Sequence, residues 1–223
     1  MTPTDFFIFI NELAPFVRHN LHIVKGITSA GFTSFAFPGC LESYLDGSAQ
    51  YAPQDPDPND ASKWVRNSNV TRALSMSSHY HQNYIREYEG EKVRLSEFAL
   101  LPSRFSGTFA FPSMNDCDLA HQRHGWKKEE IREFKLLPHQ YNRVLRASMD
   151  LASLVGSEIV GMDDDQRLAL WRLYWQGRSI RDVPFANLQD LDWVKGVVAQ
   201  GEIWECLIEG HLELQGPAPS WIV

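Results

Sequence analysis

The sequence predicts an α+β fold with a mainly antiparallel sheet, in one domain that spans residues 1–223. From Trp204 to Leu214, apolar and polar residues alternate, which is typical of a strand with one face in the core and the other in solvent. A run of β-forming residues, Gly107–Phe111, predicts a second, buried strand that ends at Pro112. Segments with helical periodicity lie before and between these strands, and this order favours the α+β class.

Two segments in the second half of the chain carry helix signals. Asp163–Gly177 begins with a capping residue, has Gln166 as a capping-box partner three positions later, and ends at a glycine. Asn187–Gln200 repeats this pattern with an asparagine cap and a following glycine. The first helix has a broad apolar face, which predicts packing against a sheet. This face contains Leu168, Leu170, Trp171, Tyr174 and Trp175.

The first half of the chain has weaker patterns. The proline-rich stretch Gln50–Asp60 predicts a surface loop, because proline disfavours both helices and central strands. A helical pattern is predicted from Asp60 onward, and a further helix over Ser78–Glu91, where tyrosines recur at helical spacing. Phe6–Ile10 is an apolar packing element, because it lacks the preceding basic residues of a signal peptide and polar residues follow it at once.

Composition restricts the classes of function. The chain has 21 Lys and Arg against 28 Asp and Glu, a net charge of -7, so no overall attraction to nucleic acid or anionic membranes is expected. Cys40, Cys117 and Cys206 lie far apart without a CxxC motif, which favours reduced thiols in the cytoplasm and predicts no zinc site. The motifs GxGxxG, GxxxxGK[ST], HExxH and GxSxG are all absent from the sequence.

A helix-turn-helix DNA-binding protein is one alternative, because Asp163–Lys195 contains a helix, a polar turn and an amphipathic stretch. Pro184 argues against it, since a proline within the short second helix would cost about 3 kcal/mol. The recognition helix would also present Asp190 and Asp192 to the phosphates, which would repel them. DNA binding therefore ranks third among the functions considered.

Three spaced blocks carry a resemblance to a known superfamily. They are Leu101–Phe105 followed by Phe109–Phe111, then Leu173–Gly177, then Trp204–Gly210. In order and spacing they resemble blocks of a bacterial family that looks like the ADP-ribosyltransferase superfamily, over roughly residues 80 to 215. The resemblance implies a split β-sandwich with helical elaborations, which holds NAD in a cleft and transfers ADP-ribose to a macromolecular acceptor with loss of nicotinamide.

Glu205 matches the glutamate near the start of a late strand that acts on the nicotinamide ribose in that superfamily. The chemistry requires a carboxylate, because breaking the glycosidic bond passes through an oxocarbenium-like state that a nearby negative charge stabilises. The alternative is a solvated carboxylate on the polar face of a strand. Glu202 and Glu209 are the next candidates for the catalytic role.

Binding of the dinucleotide is assigned to two residues. The superfamily carries an Arg or His on its first strand, and among Arg18, His19 and His22 we select His22, which precedes an apolar pair and Gly26. The glycine expected directly after this residue is missing. Arg104 is the candidate for the pyrophosphate, because its planar fork matches phosphate oxygens, and the alternative is a surface ion pair. Tyr174 and Trp175, by contrast, are predicted to belong to the core rather than to the site.

The resemblance implies an enzyme that uses NAD as a substrate. Since the chain shows no secretion signal, it is expected in the cytoplasm, as a toxin restrained by an antitoxin protein or as a phage-defence effector. The alternative is a non-catalytic interaction or regulatory protein of a defence or toxin-antitoxin system.

A local basic cluster bears on the acceptor. Such a cluster favours RNA or single-stranded DNA over protein by a small margin, because it can follow a phosphate backbone and an unstacked base is open to modification. It contains Arg123, His124, Lys127, Lys128, Arg132 and Lys135, with Arg143 and Arg146 further on. Three glutamates interleave with it, and pairing of these charges along a helix is the alternative. They are Glu129, Glu130 and Glu133.

Overall fold

The computed structural model describes residues 4–10, 21, 25–29, 55–57, 60–65, 85–157 and 161–216. The strands are β1 (Asp5–Phe9), β2 (Gly26–Thr28), β3 (Asp55–Asp57), β4 (Asp60–Val65), β5 (Thr108–Ala110), β6 (Ile131–Leu136), β7 (Arg143–Ser148), β8 (Trp204–Glu209) and β9 (His211–Leu214). The helices are α1 (85–97), α2 (Met114–His124), α3 (Met149–Gly156), α4 (Asp164–Trp175), α5 (Ala186–Gln189) and α6 (Asp192–Gln200). Short 3₁₀ helices cover Lys128–Glu130 and Ile180–Asp182.

The strands form antiparallel sheets, so the predicted mixture of helices with antiparallel sheets is confirmed. One sheet has four strands in the order β1-β6-β9-β2, and another has three in the order β5-β8-β7. Strands β3 and β4 form a separate two-stranded sheet. Strand β8 is therefore the central strand of its sheet, with a hydrogen-bonded neighbour on each side.

The two larger sheets meet at two places. Strands β8 and β9 are separated only by Gly210 yet belong to different sheets, so the single strand predicted from Trp204 to Leu214 is wrong. A Cβ at Gly210 would lie 2.6 Å from Cδ1 of Leu136 and 2.8 Å from Oδ1 of Asn142, so a larger residue at this crossing would displace these side chains. The second meeting point lies between β1 and the residue after β5. The backbone N–H of Phe7 donates to the carbonyl oxygen of Phe111 at 2.9 Å, and the N–H of Phe111 donates to the carbonyl oxygen of Phe7 at 2.7 Å.

Apolar side chains from both larger sheets form a common core. Phe6 and Phe134 come from the four-stranded sheet, and Cys206 and Ile208 from β8, and all four are buried. The opposite face of the three-stranded sheet packs against helices, with Leu207 in one cluster with residues of α3 and α4. Each face of β8 is therefore covered, one by a sheet and the other by helices.

Helix α4 confirms the prediction made from its caps and its apolar face. Asp163 accepts a hydrogen bond from the backbone N–H of Gln166 at 2.8 Å, and Gln166 accepts one in return from the N–H of Asp163. Gly177 ends the helical turn with φ of 64°, a conformation that favours glycine. The side chains of Trp171, Tyr174 and Trp175 on α4 are buried against the three-stranded sheet and α1.

Helix α1 confirms the later part of the helix predicted over Ser78–Glu91, and it lies close to α4. Gly90 is the contact point: its carbonyl accepts a hydrogen bond from Nε1 of Trp175 at 2.8 Å. A Cβ at this position would lie 2.9 Å from ring atoms of Trp171. Arg94, near the end of α1, donates to the carbonyl oxygens of Ala99 and Leu101 at 3.1 and 2.9 Å, which holds the following loop against the helix.

The prediction for residues 50–65 is partly wrong. Asp55–Asp57 and Asp60–Val65 are strands of one hairpin, where a surface loop and the start of a helix were expected. Both strands of a two-stranded sheet are edge strands, so the proline at position 56 is tolerated. This stretch also contains too few apolar residues for their spacing to distinguish a helix from a strand.

The helix predicted over Asn187–Gln200 is divided into α5 and α6. Helix α5 begins after Phe185 and α6 after Leu191, and no side-chain cap is present on either, so Asn187 is not the cap. The break between the helices lets both Leu188 and Val194 point into the same core cluster. On one continuous helix these two side chains would point in different directions. In this segment Pro184 lies between a 3₁₀ helix and the four-residue α5, which is too short for a recognition helix.

Within the described ranges, no helix has the length and apolar character needed to cross a membrane.

Replacing Gly90 with alanine is expected to lower the free energy of unfolding by about 1–3 kcal/mol, because the added methyl overlaps the Trp171 ring and α1 must move away from α4. The measurement is urea denaturation followed by circular dichroism. Gly156→Ala is the matched control, since its Cβ would have only Arg86 Nη1 nearby, at 4.0 Å. Equal stability of Gly90→Ala and Gly156→Ala would contradict the close approach of the two helices.

Candidate active site

Arg104 and Glu205 form the centre of a buried polar cluster. Arg104 donates from Nη1 to Glu205 Oε1 at 2.7 Å and to the Tyr174 hydroxyl at 2.5 Å. The Tyr174 hydroxyl in turn donates to the same Oε1 of Glu205 at 2.7 Å. On its other edge Arg104 binds both oxygens of Glu87, from Nε at 2.5 Å and from Nη2 at 2.9 Å. We call Arg104, Glu205, Tyr174 and Glu87 the Arg104 cluster.

Each member of the Arg104 cluster comes from a different part of the fold. Glu205 is the second residue of the central strand β8, and Tyr174 lies in the last turn of α4. Glu87 lies on α1, and Arg104 on the loop between α1 and β5. The cluster thus joins the three-stranded sheet to both helices that cover it.

The loop that carries Arg104 is held by the second carboxylate of β8. Glu209 Oε1 accepts hydrogen bonds from the backbone N–H of Ser103 at 3.0 Å and from the hydroxyl of Ser106 at 2.9 Å. Glu209 Oε2 also forms an ion pair with Arg143 of the neighbouring strand β7. The Leu101–Phe105 block and the Trp204–Gly210 block of the sequence therefore contact each other through both glutamates of the second block.

The prediction that Glu205 and Glu209 lie on a solvent-exposed face of the strand is wrong. Glu205 is only 6% exposed and Glu209 only 2%. The loop with Arg104 and helix α4 cover this face, and each buried carboxylate has an arginine partner. Both glutamates do lie on one face of β8, as the alternation predicts, but arginine side chains and not water lie against this face.

The charges of the Arg104 cluster act on one another. Burial disfavours the charged form of Arg104, but the negative charges of Glu205 and Glu87 and the contact with Tyr174 outweigh it, so the pKa of Arg104 lies well above its usual value. Burial, together with the charge of Glu205, raises the pKa of Tyr174 well above its usual value. Tyr174 is therefore a neutral phenol that donates a hydrogen bond to Glu205, and it cannot serve as a base at neutral pH.

Aromatic rings surround the guanidinium of Arg104. Its Cζ lies 4.8 Å from the ring centroid of Phe109, 4.9 Å from that of Tyr174 and 5.7 Å from that of Trp171. Phe109 is 39% exposed, which differs from the buried strand predicted for this segment. The Glu87 side chain is 33% exposed, so Phe109 and Glu87 form the solvent-facing side of the cluster.

The start of β8 is held by two buried aspartates. Asp150 Oδ2 accepts a hydrogen bond from the N–H of Ile203 at 2.8 Å, and Asp116 Oδ1 accepts one from the N–H of Trp204 at 2.9 Å. Arg123 neutralises Asp150 with two hydrogen bonds at 2.9 and 3.1 Å. Burial is the main reason why the pKa of Asp150 is raised. These contacts fix the backbone directly before Glu205.

The other residues proposed for the site have different positions. Glu202 accepts from the hydroxyl of Ser179 and the N–H of Ile180, both at 2.6 Å, so it holds a 3₁₀ helix and does not touch the Arg104 cluster. His22, the candidate for the first strand, lies outside the described residues, as do its alternatives Arg18 and His19. Its role stays a prediction.

Sequence reasoning missed Glu87 and Tyr174 as members of the cluster. Tyr174 was assigned to the core, and it is indeed buried, but helical periodicity reports burial of the ring and says nothing about a partner for the hydroxyl. Its place in the Leu173–Gly177 block was the one available signal. Glu87 gave no signal, because a glutamate on a helix with many charged residues is indistinguishable from a solvated one.

The basic cluster is largely neutralised by neighbouring acids. Arg123 binds Asp150, Lys128 pairs with Asp118, and Lys127 pairs with Glu130 at 3.6 Å. The segment is not the helix that the charge-pairing alternative required, because residues 128–130 are a 3₁₀ helix and residues 131–136 are strand β6. In the part of the chain that the structure describes, no group of three or more His, Cys, Asp or Glu residues is arranged to hold a metal ion.

A family model described as "Protein of unknown function (DUF2441)" matches residues 40–185 of the chain. The match covers the loop with Arg104 and helix α4, and it ends before β8. No curated protein matches the sequence.

Cys117 and Cys206 are expected to resist alkylation by iodoacetamide at pH 8 in the folded protein. Burial raises the pKa of both thiols to about 12, so roughly one thiol in ten thousand is ionised at that pH. Mass spectrometry of peptides from native and urea-denatured samples measures this. Equal modification of Cys206 in both samples would contradict its burial in the core beside Glu205.

Proposed function

The chain belongs to the DUF2441 family, and we propose that it transfers ADP-ribose from NAD to a macromolecular acceptor, with Glu205 as the catalytic carboxylate. The observation that carries the proposal is the 2.7 Å ion pair between Glu205 and Arg104. These two residues were selected from separate blocks of the sequence, and they lie 101 positions apart. The antiparallel sheets that meet at β8 also agree with the expected split β-sandwich, which remains part of the proposal.

The main catalytic group that this reaction requires from the protein is one carboxylate in a fixed position. The bond between C1′ of the ribose and the nicotinamide nitrogen breaks, and the bonding electrons leave with nicotinamide. Glu205 stabilises the positive charge that develops on the ribose and accepts a hydrogen bond from a ribose hydroxyl. A nucleophilic atom of the acceptor then bonds to C1′ and releases its proton to water.

The two oxygens of Glu205 suit different tasks in this mechanism. Oε1 accepts hydrogen bonds from both Arg104 and Tyr174, which fix the orientation of the carboxylate. No donor among the described residues bonds to Oε2, so this oxygen can accept the ribose hydroxyl. Arg104 and Tyr174 are therefore positioning residues for Glu205.

The second candidate is a non-catalytic interaction or regulatory protein, and the low exposure of Glu205 favours it. In that case the Arg104 cluster only ties the sheet to α1 and α4, and its charges compensate one another in the interior.

The acceptor and the biological setting are further parts of the proposal. Arg146 lies over the ring of Trp204 with Cζ 3.8 Å from the ring centroid, and the strand register places both side chains on the face of the sheet opposite to Glu205. RNA or single-stranded DNA is the proposed acceptor, since single strands bind through arginines and through aromatic rings on which bases stack, and Arg146 and Trp204 offer both groups on that face. The expected setting is a toxin restrained by an antitoxin, or a phage-defence effector.

Glu205→Gln is expected to reduce release of nicotinamide from NAD by roughly two to four orders of magnitude, because the substitution keeps the size of the side chain but removes its charge. The measurement is chromatography of nicotinamide after incubation of folded protein with NAD and cell extract.

Glu202→Gln is the control for this experiment, because Glu202 lies three residues earlier and its hydrogen bonds lead away from the Arg104 cluster. It is expected to retain wild-type release. Release by Glu205→Gln at the wild-type rate would place the catalytic carboxylate elsewhere, and no release by the folded wild type would favour the interaction protein.

Induced expression of the wild type is expected to stop bacterial growth, while Glu205→Gln is not, because growth arrest in this setting requires transfer of ADP-ribose. Macromolecules from the wild-type cells are expected to carry ADP-ribose that ribonuclease or deoxyribonuclease removes. Growth curves and detection of ADP-ribose on digested extracts measure the two effects.

Equal growth with both proteins would rule out the toxin setting. ADP-ribose that survives both nucleases and disappears with protease would show that the acceptor is a protein.

A further inference from the structure

Arg104 presents two edges that differ in their access to solvent. The inner edge, Nη1, is bound to Glu205 and Tyr174, which are both buried. The outer edge, Nε and Nη2, is bound to the two oxygens of Glu87. The side chain of Glu87 is 33% exposed, against 8% for that of Glu205. Only the outer partner can therefore turn into solvent without opening the core.

The outer edge of Arg104 has the geometry that binds phosphate. Two parallel N–H groups of a guanidinium match two oxygens of a phosphate as well as they match those of a carboxylate. Each phosphate of a pyrophosphate diester carries one negative charge, as the carboxylate of Glu87 does. Exchange of Glu87 for such a phosphate therefore leaves the net charge of the Arg104 cluster unchanged, whereas a phosphate with more charge would be repelled by Glu205.

We propose that the outer edge of Arg104 is a binding site for one phosphate of a pyrophosphate diester, and that Glu87 is an internal competitor for this site. The inference rests on the proposed function and deepens it, because it names how the dinucleotide is held. Arg104 joins the bound phosphate to Glu205, so the ribose attached to that phosphate lies toward the catalytic carboxylate. The exposed ring of Phe109, stacked on the guanidinium, borders the site.

The proposal predicts that removing the charge of Glu87 strengthens binding of a pyrophosphate diester. Glu87→Gln is expected to bind ADP-ribose at least about tenfold more tightly than the wild type, which is the scale of one charge-assisted hydrogen bond. Isothermal titration calorimetry measures this affinity. ADP-ribose carries the pyrophosphate but no nicotinamide, so its binding is independent of the reaction.

Glu89→Gln is the matched control for a general effect of negative charge on α1. Glu89 lies two residues from Glu87 and pairs with Arg167 at 3.3 Å, outside the Arg104 cluster. Its substitution is expected to leave the affinity for ADP-ribose unchanged. Adding Arg104→Lys to Glu87→Gln is expected to abolish the gain, because lysine keeps the charge but has no planar fork. Thermal melting checks that every variant is folded, and Glu87→Ser replaces Glu87→Gln if the latter unfolds.

Affinity of Glu87→Gln equal to or below that of the wild type would overturn the proposal, as would an equal gain with Glu89→Gln. Tighter binding of ADP-ribose that depends on Arg104, without any release of nicotinamide from NAD, would leave this site standing and reject the transferase activity. Release of nicotinamide by the wild type, without a gain in Glu87→Gln, would overturn this proposal and leave the transferase activity standing.

Discussion

Two carboxylates four residues apart on β8 are buried on the same face of the sheet, and each of them needs an arginine. Glu205 has Arg104, and Glu209 has Arg143. Removal of one partner from a buried ion pair costs about 3–5 kcal/mol, because the remaining charge is left without compensation. The loop with Arg104 must therefore lie over β8, and its position determines where α1 and α4 can cover the sheet.

The same contacts connect stability to the proposed chemistry. Glu205 is oriented by two donors, and the backbone before it is held by Asp116 and Asp150. A carboxylate on a central strand with both neighbours paired has little freedom to move, which is what stabilisation of a developing charge requires. Glu87 is the most exposed member of the Arg104 cluster, so ligand binding is expected on its side.

Predictions from the sequence succeeded where the signal is local. The capping box of α4, the glycine that ends it and the short strand β5 depend on residues a few positions apart, and all three are present. Predictions failed where two elements had to be separated within one continuous pattern. The alternation from Trp204 to Leu214 continues across Gly210, although the strands on either side belong to different sheets. Likewise the periodicity after Asn187 does not reveal that α5 and α6 are separate helices.

By itself the sequence determined the class of the fold, the ends of α4 and the two charged residues on which the site depends. Only the tertiary structure decided that the polar face of β8 is buried and that Tyr174 and Glu87 complete the Arg104 cluster. The physical reason is that a local pattern reports whether a side chain is polar and in which direction it points. Whether water or an arginine lies opposite depends on segments far away along the chain, here 101 residues from Glu205.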